Sequence, residues 1–187
     1  MKESSPQSDF MQDSQVELVE EYLILLLGVV DAPVQTKFHV EKELFLLSKV
    51  NDTTENLFQF QKHYEGPYSQ LADDSLESPL YYGKAFDKNY GAFSLSAAGK
   101  EYYFKLVKKN KSNPRFSAIL SIAQLIRGLY DKLSKEELAL LIYKTYPEYT
   151  KYSNISGEIL DNKKNYSNLV KSLISKGIIN ENRFSHD

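Results

Sequence analysis

The chain contains neither cysteine nor tryptophan, and its apolar runs are short. Without cysteine it has no disulfide, no thiolate metal ligand and no cysteine nucleophile. The apolar run over 23–30 is too short to span a bilayer, and the polar first fifteen residues show no signal peptide. We therefore expect a soluble, cytoplasmic protein that makes no membrane contact.

Signatures of catalysis and of metal binding are missing as well. The three histidines, His39, His63 and His186, are scattered, and no His-x-x-His or Glu-x-x-His pair is present. There is no serine elbow, phosphate-cradling glycine loop or dinucleotide fingerprint. Asp73 and Asp74 are adjacent, so on a helix their side chains point about 100° apart and do not converge. The sequence predicts no enzyme, no catalytic residue, no metal site and no cofactor.

Charge is unevenly distributed, although the formal net charge is only -2. Residues 1–33 carry one lysine and seven acids, and residues 34–99 carry six lysines and nine acids. Residues 100–115 carry six bases and one acid, a net charge of +5. This short segment is the only strongly basic feature, which limits any electrostatic case for nucleic-acid binding.

The order of elements predicts a mostly α fold with a small antiparallel β element. Residues 1–14 are polar, lack apolar periodicity and are typical of a disordered arm. Residues 15–112 have the element order of a winged-helix-like domain, and residues 113–187 form a helical C-terminal region. Apolar spacing and end signals predict helices over 16–30, 37–50, 69–78, 97–109, 116–130, 135–146 and 166–175.

Strand character is present in two places. Leu57, Phe58 and Phe60 lie in a short segment that we predict to be a strand ending at His63. Further on, aromatic and apolar residues alternate well enough for two strands: Tyr81, Tyr82, Phe86, Tyr90, Phe93 and Leu95. A turn at Lys88, Asn89 and Gly91 joins these strands into a hairpin, which would be the wing.

The helix-end signals are polar caps and glycines. Ser96 is placed to cap the helix that follows the wing, and Ser134 with Glu137 forms a capping box. Gly177 ends the last helix, and Ile178-Ile179 read as an apolar strand that pairs with a sheet edge or a second chain. The apolar stripes over 116–179 give the hypothesis of a homodimer.

One block of sequence carries a family resemblance. A leucine-rich helix with Lys42-Glu-Leu-Phe-Leu-Leu47 is followed by His63-Tyr-Glu-Gly-Pro-Tyr-Ser69, and then by Phe93-Ser-Leu-Ser-Ala-Ala-Gly99. This order, over roughly 37–109, resembles the YwgA-like family of uncharacterised bacterial and archaeal proteins, and more distantly the Panacea-type antitoxin domain. The resemblance implies a winged-helix-like fold and supplies no activity.

The Gly66-Pro67-Tyr68-Ser69 turn has two interpretations. In the structural one, Pro67 fixes its own φ, Gly66 takes a conformation that other residues avoid, and Ser69 caps the next helix. In the functional one, the turn belongs to a partner or ligand surface, whose candidate residues are Tyr64, Tyr68, Gln70, Asp73 and Asp74.

The helix after this turn would be the recognition helix of a DNA-binding winged helix. It carries Asp73, Asp74 and Glu77 and no base, so it is a poor reader of a DNA groove. Basic side chains of the wing and of the following helix are the remaining candidates for DNA contact: Lys84, Lys88, Lys100, Lys105, Lys108, Lys109, Lys111 and Arg115. The alternative interpretation of the basic run is a solvated helix end that the helix dipole favours.

Two functions therefore stay open. One is a DNA-associated regulatory protein that binds double-stranded DNA, favoured slightly by the winged-helix resemblance. The other is a protein-interaction module, such as an antitoxin-like or adaptor protein, favoured by the acidic helix and the 14 tyrosines.

Overall fold

A computed structural model describes residues 6–50, 52–180 and 182–183, with side chains from residue 14 onward. The predicted fold class is confirmed: the chain is mostly helical with two small antiparallel hairpins. In chain order the elements are α1 (Pro6–Gly28), α2 (Lys37–Ser48), α3 (Asp52–Phe58), β1 (Gln61–His63), β2 (Gly66–Tyr68), α4 (Gln70–Glu77), β3 (Phe86–Asn89), β4 (Ala92–Leu95), α5 (Ala97–Lys109), α6 (Pro114–Tyr130), α7 (Lys135–Thr145), the 3-10 helix η1 (Pro147–Thr150), α8 (Ser156–Leu160) and α9 (Lys163–Ser175).

The layout is winged-helix-like. Helices α1, α2 and α4 precede the β3–β4 hairpin, in which Phe86 is opposite Leu95 and Asn89 is opposite Ala92. A third strand is reduced to one bridge, in which Val34 and Phe93 exchange two hydrogen bonds of 2.8 and 2.9 Å. The wing hairpin and the position of α4 therefore agree with the sequence prediction, but the turn differs: Lys88 and Asn89 belong to β3, and Tyr90, predicted in a strand, lies in the turn with Gly91.

Polar caps begin the helices where the sequence predicts them. Ser69 accepts a hydrogen bond from the Ala72 N–H at 3.2 Å and Ser96 accepts one from the Gly99 N–H at 3.0 Å. Ser134 and Glu137 form the complete capping box of α7. Such caps satisfy N–H groups that have no partner inside the helix, which fixes the first turn.

The beginning of α1 differs from the prediction. The helix begins at Pro6 rather than near residue 16, so residues 6–14 of the predicted arm are helical, and residues 1–5 lie outside the described residues. Adding turns to a helix that is already packed costs little compared with starting one, so the helix continues into a segment without an apolar stripe.

The segment before the first hairpin is also different. Leu57 and Phe58 were predicted in a strand, but they end helix α3, and the strand β1 is limited to Gln61–His63. Phe58 is fully buried and contacts the ring of Tyr22 edge-on at 5.4 Å. A short apolar run in a sequence does not distinguish a buried helix from a strand. In this chain the helical conformation lets Phe58 pack against α1.

Tyr81 and Tyr82 were predicted in a wing strand, and this is wrong. They lie in a loop held by the fully buried carboxylate of Glu20, which accepts backbone hydrogen bonds from Leu80, Tyr81 and Tyr82 at 2.6, 3.0 and 2.8 Å. Because these backbone N–H groups donate their hydrogen bonds to Glu20 of α1, they cannot also donate to a neighbouring strand.

Ile178 and Ile179 were predicted as an apolar strand, and this is also wrong. No strand contains them, and Ile179 is 7% exposed in a core that it shares with Leu138, Tyr143 and Leu173. The apolar residues behind the homodimer hypothesis thus pack largely within the chain, and the dimer itself stays a prediction.

Two apolar cores meet at α2. The first is built by α1, α4, the wing, α5 and α6, and includes Leu44, Phe93 and Ile126. The second is built by α7 to α9 and includes Phe45 and Leu138. Because α6 packs in the first core, the division between the two cores lies beyond α6, and the predicted domain boundary between 112 and 113 stays a prediction.

None of the helices in the described part of the chain is both long and apolar enough to cross a bilayer.

Candidate interaction surface

The β1–β2 hairpin contains the first three residues of the Gly-Pro-Tyr-Ser motif, which are paired as strand β2 and do not form an open turn. Gln61 is opposite Tyr68 and His63 is opposite Gly66. Gly66 has a φ of 95°, and a side chain there would put Cβ 3.1 Å from the buried ring of Tyr143. Only glycine satisfies both requirements without strain, so the structural role predicted for Gly66 is present.

The tip of this hairpin is fastened to the C-terminal region. The Asn154 N–H donates to the Tyr64 carbonyl at 2.8 Å, and Lys135 forms an ion pair with Glu65. The Tyr143 hydroxyl and Ser153 share a hydrogen bond of 2.7 Å beside this contact. These contacts hold the turn in one position relative to α7 and η1.

Three aromatic rings lie together on the hairpin. The His63 ring is stacked on Tyr68, with centroids 4.6 Å apart, and the Tyr64 ring is 4.9 Å from His63. Tyr64 is 59% exposed, although tyrosine usually buries most of its ring. The cluster therefore presents a large amphipathic side chain to solvent from a fixed backbone.

Helix α4 continues this surface. The Tyr68 hydroxyl is within hydrogen-bond distance of two acceptors, Gln70 Oε1 at 2.9 Å and Asp73 Oδ2 at 3.2 Å, and Gln70 Nε2 donates to Asp74 Oδ1 at 2.8 Å. Burial, together with the negative charge of Asp73, raises the pKa of Tyr68 to about 12. The structure thus brings together all five residues predicted for a partner surface, which we call the hairpin–helix surface: Tyr64, Tyr68, Gln70, Asp73 and Asp74.

The acids of α4 have basic partners that the sequence does not reveal. Lys37 forms ion pairs with Asp73 and with Glu77, the latter at 3.2 Å, and Lys88 of the wing is 3.1 Å from Glu77. The hydrogen bond from Lys88 is the main cause that lowers the pKa of Glu77. Lys37 is far from α4 in sequence, so local patterns could not identify it.

The predicted DNA-binding residues do not form one free basic face. Three of them are in ion pairs: Lys88 with Glu77, Lys100 with Asp31 at 2.8 Å, and Lys105 with Glu101 at 4.0 Å. The other five are exposed and have no ion pair within the described chain: Lys84, Lys108, Lys109, Lys111 and Arg115. Four of these five lie at the junction of α5 and α6, whereas Lys84 is at the base of the wing.

The histidines remain apart. His39 is buried, shares a hydrogen bond of 2.8 Å with Thr36 Oγ1 and one of 3.0 Å with the Leu133 carbonyl oxygen, and burial lowers its pKa. His63 belongs to the hairpin cluster, and His186 lies outside the described residues. Over the residues that the structure describes, no group of three His, Asp or Glu side chains could hold a metal ion.

A buried charged cluster has no counterpart among the sequence predictions. Arg127 is fully buried and donates to Asp131 at 2.7 Å, to the Leu26 carbonyl at 2.8 Å and to the Ala32 carbonyl at 2.7 Å. Glu43 lies 3.6 Å from Arg127 Nε, but neither of its carboxyl oxygens accepts a hydrogen bond in the described chain. These contacts join α2 and α6 to the end of α1.

This cluster has a structural role. The pKa of Glu43 is raised to about 9, chiefly by burial; the negative charge of Asp131 and a hydrogen bond with it also raise the pKa, and the charge of Arg127 lowers it by less. The carboxyl is closed off from solvent, so no substrate reaches it in this conformation. An arginine in the last turn of a mostly apolar helix, Arg127, is the only signal in the sequence, and it does not identify the partners.

No protein-family model, no characterised protein and no solved structure matches the chain.

Proposed function

We propose that the protein is a protein-interaction module that binds its partner through the hairpin–helix surface. One observation carries this proposal: the helix in the recognition position, α4, exposes two acids and one amide close to a tyrosine that is 59% exposed. The surface is therefore suited to a polypeptide and unsuited to a phosphate backbone.

Electrostatics argue against DNA at α4. Its exposed side chains include Gln70, Asp74 and Glu77, and it contains no base. Affinity for duplex DNA comes mainly from cations that replace the counterions of the phosphates. The nearest cations, Lys37 and Lys88, are already bound to Asp73 and Glu77, so they offset those two acids but are not free to bind phosphates, and the charge of Asp74 is left.

Shape argues in the same direction. Helix α4 has only eight residues, and the β1–β2 hairpin precedes it directly. A recognition helix must enter the major groove with its first residues free to contact base edges. In this chain Gln70 is bonded to Tyr68 and Asp74 instead.

Preorganisation favours a protein partner. Tyr64 is fixed by the Asn154 hydrogen bond to its carbonyl and by the neighbouring His63 ring. Tyrosine combines a large apolar contact with a polar hydroxyl, and fixing it before binding lowers the entropic cost of association. Because oxygen acceptors predominate in the exposed polar groups, the partner should offer amide, lysine or arginine donors.

Affinity purification with matched variants tests the proposal. The wild-type chain, Tyr64→Ala and Phe104→Ala are immobilised separately, because Phe104 is a ring that is 66% exposed on α5, a helix that contributes no residue to this surface. We expect a partner that is retained by the wild type and by Phe104→Ala and is lost with Tyr64→Ala. A partner that binds all three equally, or the absence of any partner, contradicts the proposal.

A DNA-associated regulatory protein is the second candidate, and one observation favours it. Lys108, Lys109, Lys111 and Arg115 are exposed at the α5–α6 junction and have no ion pair within the described residues. These cations could bind phosphates without any contact from α4. The protein would then bind DNA with little sequence preference.

Salt dependence tests this second candidate. Neutralising Lys108 and Lys109 to glutamine should weaken duplex binding at low salt, and should reduce the slope of log K against log salt by about 1.8. Lys163→Gln with Lys164→Gln is the matched control, because both lysines are exposed on α9. Absence of binding to any duplex at low salt rejects this candidate.

A further inference from the structure

A cavity of about 400 Å³ lies on the side of the fold formed by the end of α1, the loop that follows it, β4 and α5. It includes none of the residues of the hairpin–helix surface. Leu27 and Leu95, both buried, contribute apolar wall, and Tyr103 and Phe104 contribute two rings. Its volume is within the range of small-molecule sites, and its wall combines apolar and polar side chains.

A glycine shapes one wall of this cavity. A side chain at Gly28 would put Cβ 2.5 Å from the Tyr103 ring and 2.8 Å from Leu95 Cδ1. The Tyr103 ring therefore lies directly against the backbone of α1, and the cavity is left open beside it. Substitution here would displace the ring that lines the site.

Phe104 is the second ring and is largely in water. It is 66% exposed, and its ring meets Tyr103 edge-on with centroids 5.6 Å apart. Large apolar side chains are usually covered, and an aromatic pair at the mouth of a cavity offers a surface on which a third ring can pack.

The polar groups of the cavity are few, and three of them suit an anionic head group. Lys100 is bonded to Asp31, whose side chain is 90% exposed and is therefore a weak competitor. The hydroxyls of Ser94 and Tyr103 have no hydrogen-bond partner in the part of the chain that the structure describes. A carboxylate bound here would gain a charged donor and up to two hydroxyl donors.

We propose that this cavity binds a small aromatic carboxylate, with its ring against Tyr103 and Phe104 and its carboxylate on Lys100 in place of Asp31. The apolar walls select the ring, and the single ammonium selects the charge. This binding is independent of the protein-interaction function proposed above.

Binding of 2-naphthoate compared with its neutral analogue 2-naphthamide tests the proposal, measured on the full chain by titration calorimetry. We expect saturable, one-to-one binding of the carboxylate. Lys100→Gln should weaken 2-naphthoate binding about two- to fivefold and leave 2-naphthamide unchanged, because only the charge is removed. Phe104→Ala should weaken both ligands, by about fivefold, because both use the ring.

Two control variants have similar exposure and lie outside the cavity. Lys109→Gln removes another exposed charge of α5, and Leu125→Ala removes a side chain that is 59% exposed on α6. Neither should change the affinity of either ligand. No saturable binding, equal loss with the controls, or no effect of Lys100→Gln on the carboxylate would overturn the proposal.

Discussion

Glu43 is costly to keep charged in the folded protein. Its carboxyl is fully buried and accepts no hydrogen bond from the described residues, and Asp131 adds negative charge that Arg127 does not offset. At neutral pH a buried acid of this kind keeps its proton in the folded chain and loses it in the unfolded chain. The arrangement makes the stability of the protein depend on pH.

The pKa of Glu43 is raised from 4.5 to about 9, so between these values only the folded state holds the proton. Stability should fall as pH rises through this window, by up to about 1.4 kcal/mol per pH unit. Glu43→Gln should remove this pH dependence. The difference in free energy of unfolding between the variant and the wild type should therefore shift in favour of the variant as pH rises from 5 to 8.

Urea unfolding at pH 5, 6.5 and 8 measures this difference. Glu158→Gln, at an exposed acid of α8, is the control and should follow the wild type at each pH. If Glu43→Gln and the wild type have parallel pH profiles, Glu43 is charged in the folded protein.

Gly66 provides a second prediction at this scale. A side chain at this position would be strained for two reasons. The φ of Gly66 is 95°, and an added Cβ would lie 3.1 Å from the Tyr143 ring. Gly66→Ala should cost about 1–3 kcal/mol. Gly128→Ala in α6 has open space around Cβ and should instead stabilise by about 0.5–1 kcal/mol. Thermal unfolding of both variants compares the two; equal effects would contradict the strain argument.

At the scale of elements, local chemistry was predictable. Ser69, Ser96 and Ser134 begin α4, α5 and α7 as predicted, because a cap and its partner amide are three residues apart. The wing was predictable because alternation and a turn signal lie within ten residues. The five residues of the hairpin–helix surface were predictable for the same reason, since they are close in sequence.

Interactions between distant segments were not predictable. Glu20 holds a loop 60 residues away, and Arg127 holds a carbonyl 101 residues away. The pairing of Lys37 with α4 and the bridge of Val34 to Phe93 are of the same type. Single-sequence patterns report local periods, whereas these contacts arise only when the helices pack.

The wing turn gives a prediction for one element. Tyr90 and Gly91, its two central residues, have φ of 49° and 87°, and Tyr90 is fully exposed. Such a turn favours asparagine followed by glycine. Tyr90→Asn should therefore stabilise the protein by about 0.5 kcal/mol, whereas Tyr90→Ala, which removes the same ring without favouring positive φ, should not. Thermal unfolding distinguishes them, and equal melting temperatures would contradict the prediction.

For the whole molecule, helix α2 belongs to both cores. Leu44 and Leu47 pack in the first core, and Phe38 and Phe45 pack in the second. Removing either core therefore exposes one side of α2, so the two should unfold together.

A fragment of residues 1–112 tests this coupling. It lacks α6, with Ile126 and Arg127, and leaves Phe45 uncovered. We expect it to be unfolded or molten by circular dichroism and amide NMR dispersion. The free energy lost when these core contacts are removed exceeds the free energy of unfolding of a typical domain. Adding residues 113–187 as a separate polypeptide should restore the native spectrum; a folded 1–112 fragment would show that the cores are independent.

Because α2 belongs to both cores, the two parts of the chain should evolve as one unit. Protein modules are exchanged between genes when each brings its own complete interior. Here a recombination event on either side of α6 separates one face of α2 from the residues that cover it. The winged-helix-like part and its helical extension should therefore be passed on as a single unit, and their loops should be the places where lineages diverge.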